Sequence, residues 1–152
     1  MKNLTISLLF CISLGAQAQE LGQLRTEFIA ATGSAPAAEK FLQTTSRISA
    51  SSKPLLVAYR GAALVIWGKY VRGIEDKKKT AKAGIALLES AISKNPGHVE
   101  IRTLRLSIQE NSPKILKYKD NIEEDRNFVT RSYEELPEGE LKSFIGGYLS
   151  NP

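Results

Sequence analysis

The sequence predicts an all-α protein: an antiparallel helix-hairpin array that follows a cleaved signal peptide. Three observations carry that prediction. Apolar residues recur at helical spacing along nearly the whole chain, and no stretch alternates apolar and polar residues as a half-buried strand does. Proline, glycine and asparagine interrupt the pattern at intervals suited to helices. The first eighteen residues have the three-part layout of an export leader.

The leader reads as follows. Lys2 supplies a positive start, Leu4 to Leu14 is an apolar run, and Ala16-Gln17-Ala18 is a small-x-small cleavage pattern. The run is too short to span a bilayer, which takes about 20 residues. Cleavage after Ala18 leaves 134 residues with formal charge +4, because Lys2 departs with the leader. Cys11, the one cysteine, departs too. The mature chain, residues 19–152, is then a single thiol-free domain, as suits an oxidising compartment. The expected location is periplasmic or secreted.

The mature chain divides into helices in order. Leu21, Leu24 and Phe28 mark one face of a first helix ending near Thr32-Gly33. Ser34 and Pro36 open a second, whose inner face is Ala38, Phe41, Leu42, Thr45 and Ile48. Pro54 opens a third, reaching about Arg72. It is apolar on nearly all sides, as the buried centre of a bundle is. Arg60 and Lys69 interrupt it, which argues against a membrane span. Gly61, Ala62 and Ala63 leave room for a close neighbour, and Ile66, Trp67 and Tyr70 read as core.

Gly73 reads as the stop of that helix, and Glu75 and Asp76 suit the start of a fourth. Its inner face is Ala81, Gly84, Ile85, Leu88, Ala91 and Ile92, ending before Pro96-Gly97. A fifth helix, His98 to Asn111, carries Ile101, Leu104 and Ile108. Ser112-Pro113 predicts a short helix with Ile115 and Tyr118 inside. Asn121 with Glu124 has capping-box spacing for a seventh, through Phe128, Val129, Tyr133 and Leu136. After Pro137-Glu138-Gly139, the stripe Leu141, Phe144, Ile145, Tyr148 and Leu149 predicts a closing helix.

Helix pairs begin near residues 20, 54 and 97, at spacings of 34 and 43. Gly84, Leu88, Ala91 and Pro96 fall at intervals of 4, 3 and 5. Both features resemble tetratricopeptide (TPR) repeats, whose small, bulky, small and proline positions close each unit. The resemblance covers residues 54–111, and residues 20–53 by spacing. The first pair departs from it, with Leu42, Ser46 and Ser49 at the equivalent places. The segment from Ile101 to Asp125 is also similar to one in small exported bacterial proteins. These likenesses imply a TPR-like fold and an envelope or extracellular setting.

The chemistry is narrow. One His and one Cys cannot build a Cys/His metal centre or a disulfide, so no metal or cofactor is expected. No HExxH, GxSxG, P-loop or GxGxxG motif occurs. His98 reads as an exposed residue of a capping turn. The acids allow a two-carboxylate hydrolase only as an alternative. Lys77, Lys78, Lys79 and Lys82 read as a solvated face beside Glu75 and Asp76, so nucleic acid is not an expected partner.

The arginines are the richer signal. Arg60, Arg102 and Arg105 pair with Asp125, Glu124 or Glu27 if they face inward. If the first helix of each pair lines a concave face, as the TPR resemblance implies, a different use follows. Tyr59, Arg60, Lys69, Arg102, Arg105 and Gln109 would then bind a protein or peptide. The sequence reading is therefore a non-catalytic interaction module, with a structural envelope protein as a further alternative.

Overall fold

A computed structural model of the chain describes the backbone of residues 4–151 and the side chains of residues 17–151. It is all-helical: among the described residues there are seven α-helices, one short 3-10 turn and no strand. The helices are α1 (Leu4–Ala31), α2 (Ala35–Thr44), α3 (Pro54–Gly68), α4 (Ile74–Lys94), α5 (Val99–Asn111), α6 (Ile122–Glu135) and α7 (Glu140–Ser150). The 3-10 turn, Lys114–Leu116, lies between α5 and α6. No helix among the described residues is long and apolar enough to cross a membrane. Of the expected leader, Lys2 and the side chains through Ala16 lie outside the described residues. The backbone helix of α1 runs without a break through Ala18.

Most predicted boundaries recur, and the departures have local causes. Ser34 caps α2 by accepting a hydrogen bond from the Ala37 backbone N–H. That helix stops at Thr44, short of Ile48, because the Thr45 hydroxyl turns back onto the Phe41 and Leu42 carbonyls. α3 ends at Gly68, not near Arg72, so Tyr70 is exposed rather than core. Gly73 does not end α3. It precedes α4 with φ 81°, a conformation that glycine adopts at little cost. Ser112 does not cap a further helix; its hydroxyl donates to the Ile108 carbonyl. The following segment makes a single 3-10 turn closed by Lys117 at φ 49°. That bend leaves Ile115 55% exposed instead of inside, while Tyr118 is buried as expected. Asn121 caps no backbone group of α6 with its side chain, although its amide reaches Glu124.

The core is one continuous cluster. Four rings from four helices meet edge to face: Phe28, Phe41, Tyr59 and Phe144. Phe28 lies 6.1–6.4 Å from each of the other three. Phe41 and Tyr59 are 6.3 Å apart. Such geometry adds about 1 kcal/mol per pair beyond area burial.

α3 packs against α1, α2, α4 and α5, which explains why its sequence is apolar all round. Its closest partner is α4, antiparallel to it: Gly61 meets Gly84 and Leu88, and Gly68 meets Lys77 and Ala81. A Cβ on Gly61 would sit 2.7 Å from the Gly84 carbonyl oxygen and 2.9 Å from the Leu88 nitrogen. The two backbones touch there, and only glycine permits it.

α5 is the polar counterpart. It packs against α3, α4, α6 and α7. Glu100, Thr103, Arg105, Ser107 and Gln109 are buried on it beside Ile101, Leu104, Leu106 and Ile108.

Candidate functional site

The helix fork at α5 absorbs most of the residues that the sequence proposed for binding. Tyr59 is fully buried and donates from its hydroxyl to Glu100 Oε1 at 2.6 Å. Arg25 grips the same carboxylate with two nitrogens, at 2.8 and 2.9 Å. Burial, reinforced by the Glu100 charge, pushes the Tyr59 phenol far above its ordinary range, so it stays protonated.

Arg105, 4% exposed, clasps Asp125 in a two-pronged bond at 2.6 and 2.8 Å and also reaches Glu89 at 3.1 Å. Burial alone would lower its pKa, but hydrogen bonding and attraction to Asp125 outweigh that and raise it. Arg102 donates to Glu124 at 2.7 Å and Asp125 at 2.8 Å, and its guanidinium lies 4.5 Å from the centre of the Phe128 ring. Asp125 is fully buried, so both arginines neutralise one interior charge. Tyr118 adds a hydroxyl donor to Glu89. On the next turn Glu110 takes Arg126 and Tyr148, which fastens α7 to α5 and α6.

Arg60 finds no carboxylate among the described residues. It donates to the Leu42 carbonyl at 2.9 Å and the Thr45 hydroxyl at 3.3 Å, filling acceptors that the end of α2 leaves open. Gln109 is fully buried and reaches Asn121 at 3.4 Å. A ligand reaches Tyr59, Arg105 or Gln109 only by opening the packing. Glu27, expected as an arginine partner, is taken by Gln23 and Lys40. Burial favours its neutral form, but those donors prevail and its pKa is lowered. His98 is half-buried, not exposed. Its Nδ1 has no partner among the described residues, and burial lowers its pKa.

Lys69 is different. It is exposed and lines a cleft of about 340 Å³ between the α3–α4 corner and the end of α5. The cleft wall is apolar: Val65, Ile66 and Ala81 on one side, Ile108, Pro113 and Leu116 on the other. Ile74 and Ile115 stand at its mouth, 57% and 55% exposed. Lys77 and Lys78 rim it, and Ser107, Asn111 and Ser112 supply polar groups.

Sequence reasoning did not find this cleft. Its walls come from Thr32 and from residues 65–81 and 107–116, and only the fold brings them together. No sequence signal marks it: Ile74 keeps the register of the Ala81–Leu88 stripe, and Ile115 is expected inside a short helix. Among the described residues no cluster of His, Cys, Asp and Glu could hold a metal ion. Compared with known proteins, the chain matches no family model, no curated protein and no solved structure.

Proposed function

We propose that the protein is an exported, non-catalytic interaction module that captures a protein or peptide segment in the cleft between α3–α4 and α5. One observation carries this reading: an apolar, half-open cavity whose mouth holds two exposed isoleucines. Isolated exposed apolar side chains are common, but a paired set around an apolar hollow marks a contact surface. Lys69 is the one residue of the sequence-predicted set that takes part.

The TPR-like reading is supported by the antiparallel α3–α4 pair, with Gly84, Leu88 and Ala91 buried on its inner side and Pro96 just after it. Export is supported by Lys2, the apolar run and Ala16-Gln17-Ala18. The hydrolase alternative draws little support, because Glu89, Glu100, Glu110 and Asp125 are committed to arginines and tyrosines. A structural envelope role is favoured by one specific observation, the pairing of Arg25, Arg102, Arg105 and Arg126 with carboxylates.

A photo-crosslinking residue in place of Ile115, with the exposed Glu39 as control, separates the two. Capture predicts a discrete adduct from position 115 and none from position 39. Equal adducts from both positions, or none from either, overturn it. Protein recovered from the same cells should begin at Gln19; a chain that keeps Met1 overturns export.

A further inference from the structure

The cleft has a chemistry of its own beyond being apolar. Its lips carry cations. Lys69 stands on the α3–α4 lip, and Lys114 stands in the 3-10 turn of the opposite lip, between the lining residues Pro113 and Ile115. Both are exposed, and neither makes an ion pair among the described residues. Of their neighbours, Lys78 has a carboxylate and Lys77 only a carbonyl. Lys78 pairs with Glu75 at 3.0 Å, and Lys77 donates to the Lys69 carbonyl at 2.9 Å. Lys69 and Lys77 line the cleft and Lys114 sits beside the lining, so three cations without a carboxylate among the described residues stand around an apolar floor.

The polar groups within the cleft narrow the choice further. The Ser112 hydroxyl donates to the Ile108 carbonyl, and one of the two Asn111 amide N–H groups donates to the Ser107 carbonyl at 2.9 Å. The Asn111 side-chain oxygen is left as an acceptor. An acceptor asks for an N–H, which a peptide backbone has and an acyl chain lacks. The volume, about 340 Å³, is near the small end of ligand sites, about 300–1,000 Å³. It suits a few side chains of an extended segment, not the whole face of a helix.

We propose, building on the cleft as the contact surface, that its occupant is an acidic aliphatic peptide segment. Leu, Ile or Val side chains fill the floor against Val65, Ile66, Ile108 and Leu116. Carboxylates flanking them meet Lys69 and Lys114, and a backbone N–H reaches Asn111.

The test is fluorescence anisotropy with four probes on the purified protein. One is a labelled peptide alternating Asp or Glu with Ile or Leu. The second replaces its acids with Lys, and the third replaces its aliphatics with Ser. Dodecanoate is the fourth, added as an unlabelled competitor. The acidic aliphatic peptide should bind about tenfold or more tightly than either altered peptide, and binding should weaken as salt rises. Lys69→Glu with Lys114→Glu should remove that tenfold preference without changing the circular dichroism or the melting temperature. Dodecanoate should not displace the peptide.

Equal binding of the acidic and basic peptides overturns the charge rule, as does equal binding of the Ser peptide for the aliphatic requirement. Displacement by dodecanoate overturns the peptide as occupant. No binding of any peptide overturns this inference, and if Ile115 still yields its discrete crosslink, the interaction-module reading stands without it.

Discussion

The α3–α4 seam and the α5–α6 seam join helices in opposite ways. Across α3–α4, Gly61 and Gly84 bring two backbones into contact, with Val65 and Leu88 closing around them. Across α5–α6, Arg102 and Arg105 reach over to Asp125 and Glu124, at distances of 2.6–2.8 Å. The first seam depends on what is missing, a Cβ. The second depends on what must all be present, since a buried carboxylate without its cations is costly. A glycine seam is sensitive to additions and an ionic seam to deletions.

That contrast can be broken from either side. The largest effect belongs to Asp125→Ala. It leaves the buried Arg105 with only the more distant Glu89 and Arg102 with only Glu124, and should cost about 4 kcal/mol, read by urea unfolding. Adding Arg105→Met to that variant should restore part of the loss, because an apolar pair tolerates burial better than a lone charge. A loss that stays unchanged would mean that Arg102 dominates the seam.

Gly84→Ala comes next. Its Cβ would lie 2.8 Å from the Val65 nitrogen and collide with the Gly61 carbonyl, so the helices must part. Overpacking of this kind costs about 1–3 kcal/mol, and the same substitution at the open Gly97 should cost far less.

The smallest effect is a pH dependence at His98. Its folded pKa is lowered by burial, with Glu100 opposing and Arg25 assisting. Below about pH 6.5 the unfolded chain therefore binds the proton more readily than the folded one. Stability should fall as pH drops below about 6.5, and His98→Gln should flatten that slope in urea titrations.

Local features of the fold were legible where one residue acts on its neighbours. Ser34, Pro54 and the Ala81–Leu88–Ala91 stripe each specify a cap, a start or a face within one turn, and each is found in place. Gly61, Ala62 and Ala63 announced a close neighbour, though not that Gly84 would face them. The pairing of Arg102 and Arg105 with Glu124 and Asp125 was legible as a choice among carboxylates, since buried guanidinium demands one. Arg60 escaped that logic because helix ends also offer acceptors. The α3 terminus was misplaced because Lys69 to Arg72 have no strong breaker among them, and tertiary packing decided the stop. The cleft was not legible at all, since no periodicity records which lip will face which.

Arg25 and Glu100 are 75 residues apart in the chain, and that separation has a consequence in time. Synthesis produces α1 long before the carboxylate that Arg25 requires. Until α5 emerges, α1 can pack Phe28 on Phe41 of α2 and Tyr59 of α3, but its guanidinium lacks this carboxylate. The α3–α4 pair, by contrast, closes between neighbours in sequence. The Arg25–Glu100 clasp therefore closes after the α3–α4 pair can. The packing of α1 is then unfinished until the chain has been made as far as Glu100.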